Sequence, residues 1–325
     1  MHIRTASDAG GLPGETKFLL TLPKIKSRIL MSRSLHTLGC WVEAMRLRTL
    51  PVSVAGVITA AALAVGEGCF QWLPWTLCLI FAVLAQIASN FANEYFDYRD
   101  GLDRVGRDGP RRGVTEGDIT PGAMLVATFA TLGLAACVGL SLICWGGWWL
   151  LVAGICIVAG ALAYSTGPLP LSRVGLGEVA VIIFFGIAPV TLTFYVQAHY
   201  VAPEVWLAAI SVGLLGANVL IVNNYRDVED DRAVGKRTLA VRFGARTTAW
   251  MYLTNGIAAV ALMYPMWTAA SRWWMIIPLF TLAIIYTLWR RLQAWSGRAL
   301  NPLLGMTSVT MLAYSLLFLI CKITG

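Results

Sequence analysis

Residues 73–103 read LPWTLCLIFAVLAQIASNFANEYFDYRDGLD. The first part, 73–96, is almost wholly apolar, and at 1.5 Å per residue a helix needs about 20 such residues to cross the hydrocarbon core of a bilayer. The last turns of that run carry Asn93 and Glu94, and with no glycine or proline after Pro74 it continues to Asp97 and Asp100. A spanning helix that ends in carboxylates is the decisive pattern. An ionised carboxylate at a helix centre costs about 2.5–3.5 kcal/mol on insertion scales, so acids gathered at a span end need a chemical reason.

Eight more runs of spanning length lie at 49–66, 122–143, 147–165, 175–198, 205–224, 248–269, 273–290 and 301–321. Composition agrees with them. Of the 325 residues 58% are apolar and 13% charged, against about 25% charged in a soluble domain. The expectation is an all-α membrane protein of nine transmembrane helices, a single intramembrane domain over 44–325 behind a tail at 1–43.

The net charge of +8 could suggest nucleic acid as a partner, but its distribution points to a lipid bilayer instead. With the N-terminus in the cytoplasm, 23 of the 25 Lys and Arg fall on one side, leaving Arg272 and Lys322 on the other. That is the positive-inside bias of an inner-membrane protein; nine spans then put the C-terminus outside. Trp72, Trp75, Trp145, Trp148, Trp149, Trp206, Trp267, Trp273 and Trp274 gather at the opposite face and read as an interface belt. Seven cysteines, mostly inside apolar runs, read as buried packing residues in a reducing-side or lipid setting. Residues 1–35 lack the apolar core and small-residue site of a cleaved signal. Leu19 to Leu35 alternates apolar and basic residues and suits either an anionic leaflet or a loose tail.

A second acid run, Asn223 to Gly235, reads NNYRDVEDDRAVG and closes the sixth span. Asn93 and Asp97 are four apart, with Asp100 three further on the same helical face, whereas Glu94 sits about 100° away. Asn223, Asp227 and Asp231 repeat the step of four. Neither run offers the His or Cys that zinc prefers; hard carboxylate and amide oxygens suit Mg²⁺, which commonly shares its shell with substrate phosphates. Arg104, Arg107, Arg111 and Arg112 follow the first run, and Lys236, Arg237 and Arg242 the second. Carboxylates alone would repel a diphosphate, so this mixture of acids and cations fits a metal-bridged diphosphate.

These paired runs resemble the aspartate-rich motifs of the UbiA-type intramembrane prenyltransferases, most of all the branch acting on 1,4-dihydroxy-2-naphthoate in menaquinone synthesis. The resemblance spans about residues 44–322. Supporting segments are RLRTLPVS at 46–53, RDGPRRGVTEGDITP at 107–121, YSTGP at 164–168, GLGE at 175–178 and GKRTLAVRFG at 235–244. It implies nine helices arranged around a central cavity, and Mg²⁺-dependent transfer of a polyprenyl group from an allylic prenyl diphosphate to an aromatic acid acceptor. Asn93, Asp97, Asp103, Asp227 and Asp231 would hold metal, and Asp97, Asp227 and Asp231 would be the catalytic acids. Arg107, Arg111 and Lys236 would cover the diphosphate.

Tyr98, Tyr164 and Asn224 are candidates for the acceptor or prenyl pocket, as is Tyr95. Where the family usually has Asp, this chain has Glu94, which implies changed reach more than lost function. Glu178 reads equally well as a functional acid or a helix-end residue, and Gln86 and Asn218 read as interhelical hydrogen-bonders. His2, His36 and His199 carry no expected role. Acceptors such as 4-hydroxybenzoate, homogentisate or chlorophyllide stay open, as does a transporter, although transporters place their sites nearer the midplane than these acids fall.

Overall fold

The computed structural model describes residues 36–268 and 272–324. The stretch 19–35, His2 and most of the tail expected at 1–43 lie outside the described residues. Among the described residues every regular element is helical. A helix α1 over 36–45 leads through a left-handed Arg46 (φ 53°) into α2, Leu50–Gly66. Then follow α3 (Trp72–Arg99), α4 (Pro121–Ser141), the short α5 (Ile143–Gly146) and α6 (Trp149–Ser165). The next helix, α7 (Gly177–Ala198), widens to π geometry at Ile182–Ile187. After it come α8 (Pro203–Arg226), α9 (Val228–Ala233), α10 (Leu239–Thr268), α11 (Ile276–Ala294) and α12 (Asn301–Thr324).

Each of the nine apolar runs therefore carries a helix, but among the described residues seven helices are long and apolar enough to cross a membrane. The helix α6 falls short by length, with 17 residues. The helix α10 is long, but Tyr252, Asn255, Gly256 and Pro265 dilute its apolar run. Proline at a first-turn position begins α4 and α8, where its missing N–H costs no hydrogen bond. Thr120 caps α4 by accepting from Ala123 N at 3.2 Å.

The helix α8 runs through the middle of the bundle, packed against α10, α12 and the wide turn of α7. Small residues permit the approach: a Cβ on Gly186 of α7 would collide with the backbone of Gly213 on α8. Polar side chains tie neighbours together, as Asn218 Nδ2 donates to Tyr252 O (2.8 Å) and Gln86 Nε2 to Thr49 Oγ1 (3.3 Å). Two sequence expectations need correction. Trp267 is fully buried and donates to the Tyr314 hydroxyl at 2.9 Å, so it belongs to the core and not to the belt. Cys40, Cys78 and Cys321 are buried, but Cys137, Cys144 and Cys156 are exposed on the outward faces of α4, α5 and α6.

Candidate active site

Helix continuity places the first acids. Because α3 runs to Arg99 without a break, Asn93, Glu94 and Asp97 sit on its last turns, and all three are buried. The second set comes from the end of α8, where Asp227 follows Arg226 directly, and from α9, which carries Asp231. The chain then turns through Gly235 in left-handed geometry (φ 76°), and Lys236 N donates back to Asp231 O at 2.9 Å. That turn aims the Lys236 ammonium at both stretches: its Nζ lies 3.2 Å from Asp97 Oδ2 and 3.8 Å from Asp231 Oδ1.

Arg107 makes a second bridge, from Asp103 Oδ1 (2.6 Å) to Asp227 Oδ2 (2.8 Å). Two stretches some 130 residues apart in sequence are thus cross-linked by two cations. Asn93, Asp97, Arg107, Arg111, Asn224, Asp227, Asp231 and Lys236 line one cavity of about 720 Å³. Asp103 is not part of that lining; its buried Oδ2 lies 3.4 Å from Arg112 Nε and accepts no hydrogen bond.

Arg46, Arg173 and Arg226, which the sequence does not single out as partners of the acids, complete the site together with Arg112. Arg46 Nη2 (2.7 Å) and Arg112 Nη2 (3.2 Å) both donate to Asn93 Oδ1, so that oxygen faces guanidinium groups. Arg173 reaches Asp97 Oδ1 at 3.4 Å and Asp100 Oδ2 at 2.6 Å. Arg226 grips both oxygens of its neighbour Asp227, at 2.7 and 2.8 Å. Glu94 lies off the cavity: its Oε1 accepts from Val114 N (3.0 Å), pinning the loop that carries Arg107, Arg111 and Arg112. Arg111 stands at the rim, where it pairs with Asp118 and lies 3.8 Å from Glu43.

Burial and these cations divide the acids. For Asp227 burial works against the charged form, but hydrogen bonds and charge from Arg226, then Arg107, outweigh it and hold the carboxyl below its usual range. Burial pushes Asp103 up despite Arg107, and pushes Asp231 up to about 6 despite Lys236.

A second, apolar chamber of about 600 Å³ lies between α3, α4, α6 and α7. Gln86, Ser89, Tyr164 and Phe185 line both spaces, so the charged cleft opens directly onto it. Tyr164 thereby stands at the junction. Tyr98 is exposed and Tyr95 half-buried, and neither lines a chamber; each points away from the Asp97 face of α3. His36, given no role from sequence, lies 3.0 Å from Asp118.

A helical bundle in which a cleft of acids and cations adjoins an apolar chamber is suited to a charged headgroup carried on a hydrocarbon tail. The chain belongs to the UbiA prenyltransferase family, whose model matches residues 53–316. It is 36% identical over 295 residues to the 1,4-dihydroxy-2-naphthoate octaprenyltransferase of Escherichia coli (strain K12), covering 86% of this chain and 94% of the relative. The enzyme of the same name from Mycobacterium tuberculosis (strain H37Rv) is 34% identical over 277 residues, 85% and 94% of the two chains. A UbiA homologue from Archaeoglobus fulgidus bound to DMAPP and Mg²⁺ shares the fold at a TM-score of 0.59 and 16% identity, over 86% of this chain and 99% of that one. The apo UbiA homologue of Aeropyrum pernix K1 gives 0.64 at 17%, over 84% and 96%.

Proposed function

We propose that this membrane-embedded prenyltransferase moves a polyprenyl group from an allylic prenyl diphosphate to an aromatic acid, 1,4-dihydroxy-2-naphthoate, with Mg²⁺ as cofactor. The observation that carries the reading is the double cross-link of the two acid stretches, through Lys236 and Arg107, at the mouth of the apolar chamber. The naphthoate acceptor is supported by relatives of that activity at 33–36% identity.

The donor set fits a hard divalent ion. Neither imidazole nor thiol lines the cleft among the described residues, and Asp103 keeps a buried oxygen without a hydrogen-bond partner. Asp97, Asp103, Asp227 and Asp231 would hold Mg²⁺, while Asn93 orients Arg46 and Arg112 toward the same space. Held by these residues, Mg²⁺ would supply neutralisation of the charge that develops on the diphosphate as a leaving group. Lys236 and Arg107 hold the diphosphate oxygens, with Arg46, Arg112 and Arg173 behind them and Arg111 at the entrance. Tyr164 and Phe185 at the junction keep water from the allylic carbon while the carbon–oxygen bond breaks. The charge bias of the loops supports a position for this cleft on the cytoplasmic side of the inner membrane, with the N-terminus inside and the C-terminus outside.

The test is to incubate the purified full-length protein in detergent with Mg²⁺, prenyl diphosphates of several lengths and a panel of aromatic acids, reading products by mass. A prenylated naphthol product, lost on chelation and restored by Mg²⁺, is expected. Preferential prenylation of 4-hydroxybenzoate would overturn the acceptor, and no product from any acceptor would overturn the reaction.

A further inference from the structure

Glu178 stands apart from the other acids of the cleft. It is 5% exposed, on the first turn of α7, and lines the cavity. Asp97, Asp227 and Asp231 each face a cation at 3.8 Å or less. Glu178 is the one buried acid of the lining, among the described residues, that faces none. Asn224 Nδ2 donates to its Oε1 at 2.9 Å, and its Oε2 is buried without any hydrogen-bond partner. A carboxylate withdrawn from water, fixed on one oxygen and unmet on the other, is costly unless a ligand completes it.

Its position says which part of a ligand. Asn224 on α8 precedes Asp227 by three residues, so it lies just under one turn, about 4.5 Å along the axis, further into the bundle than the acids of the charged cleft. The Tyr164 hydroxyl lies beside Gly177, the residue before Glu178, and Tyr164 lines both chambers. Glu178 therefore sits between the diphosphate end and the apolar end, at the depth where an aromatic ring must meet the allylic carbon. The metal and diphosphate residues leave that depth without a proton acceptor.

We infer that Glu178 takes the hydroxyl proton of the aromatic acceptor, an assignment that rests on the aromatic prenyl-transfer reading above. The acceptor O–H bond breaks and the proton passes to Glu178 Oε2. The freed oxygen pair drives the ring carbon onto the allylic carbon as the bond from that carbon to the diphosphate oxygen breaks, its electron pair leaving with the diphosphate. The ring carbon's carboxylate then departs as carbon dioxide, its electron pair restoring the ring, and Glu178 returns the proton to the oxygen. Asn224 is a positioning residue, which keeps Oε2 turned to the acceptor by holding Oε1.

The test is Glu178→Gln in the full-length protein in detergent with Mg²⁺. The exchange keeps the shape and a bond to Asn224 but removes the proton acceptor. We expect kcat for prenylated product to fall about 10²–10⁴-fold, the KM for prenyl diphosphate to stay within about twofold, and Glu178→Asp to recover part of the loss. Acceptors with more acidic hydroxyls should suffer less in Glu178→Gln than weakly acidic ones, a trend a purely structural role would not produce. Glu178→Gln turning over within threefold of the unsubstituted enzyme, or an equal loss for all acceptors, would overturn the assignment and leave the prenyl-transfer reading intact. If the unsubstituted enzyme prenylates no aromatic acceptor, the underlying reading fails and Glu178 falls with it.

Discussion

The two acid stretches look alike in sequence, yet they are neutralised in opposite ways. Asp227 has its guanidinium next door, since Arg226 binds both of its oxygens. Asp97 draws its cations from far along the chain, Arg173 before α7 and Lys236 after α9, while Arg46 from the other side of α2 serves its neighbour Asn93. The second stretch therefore carries a charge pair that adjacent residues make on their own. The first becomes tolerable only when the whole bundle has closed around it.

That difference sets the expected effects, beginning with the largest. Asp97→Ala and Asp227→Ala should each cut prenyl transfer by about 10²-fold or more, because each removes a charged oxygen from the diphosphate cleft; either one matching the unsubstituted rate in a product assay would break the site. Their neutral counterparts should part company in stability. Asp227→Asn leaves Arg226, whose side chain is 1% exposed, without its carboxylate, a loss of about 3 kcal/mol or more. Asp97→Asn should cost less, since Lys236 keeps Asp231 and Arg173 keeps Asp100. Thermal unfolding in detergent would compare them, and an equal drop would remove the asymmetry.

Next in size, Lys236→Met should raise the KM for prenyl diphosphate about tenfold, the worth of one charge-assisted contact. Initial-rate kinetics with varied diphosphate would show it. Glu94→Asp should stay within about tenfold of full activity, because Glu94 acts on Val114 N and not on the diphosphate; abolition of activity would place it in the chemistry after all.

The smallest effect concerns the rim. His36 and then Arg111 hold the Asp118 carboxyl below its usual range against the pull of desolvation. A depressed folded pKa gives stability that is present above the unfolded value, about 3.9, and is lost as pH falls through the folded one. The gap between unsubstituted protein and Asp118→Asn should be greatest near neutrality and close below about pH 4. Protease sensitivity of the joint between α1 and the loop, followed against pH, would check the sign.

What could be read in advance follows the same division. Asp97, Asp227 and Asp231 were legible because a step of four puts them on one helical face, and Lys236 and Arg107 because they lie near an acid in sequence. Arg46 and Arg173 were not, since their partners are 47 and 76 residues away and only the bundle brings them close. Tyr98 was misplaced for a local reason: one residue past Asp97 is a rotation of about 100°, which carries it to the outer surface. Trp267 stands at a helix end, where sequence alone points to an interface anchor, and nothing in the sequence foretells its bond to Tyr314.

Arg46 adopts a backbone shape that glycine tolerates best, at a cost of about 1 kcal/mol or more. Glycine there would relax the main chain and empty the slot against Asn93, so local ease and long-range charge supply pull in contrary directions. Only a side chain long enough to cross from that bend to α3 serves both, which makes the joint ahead of α2 a poor place to seek stabilising substitutions.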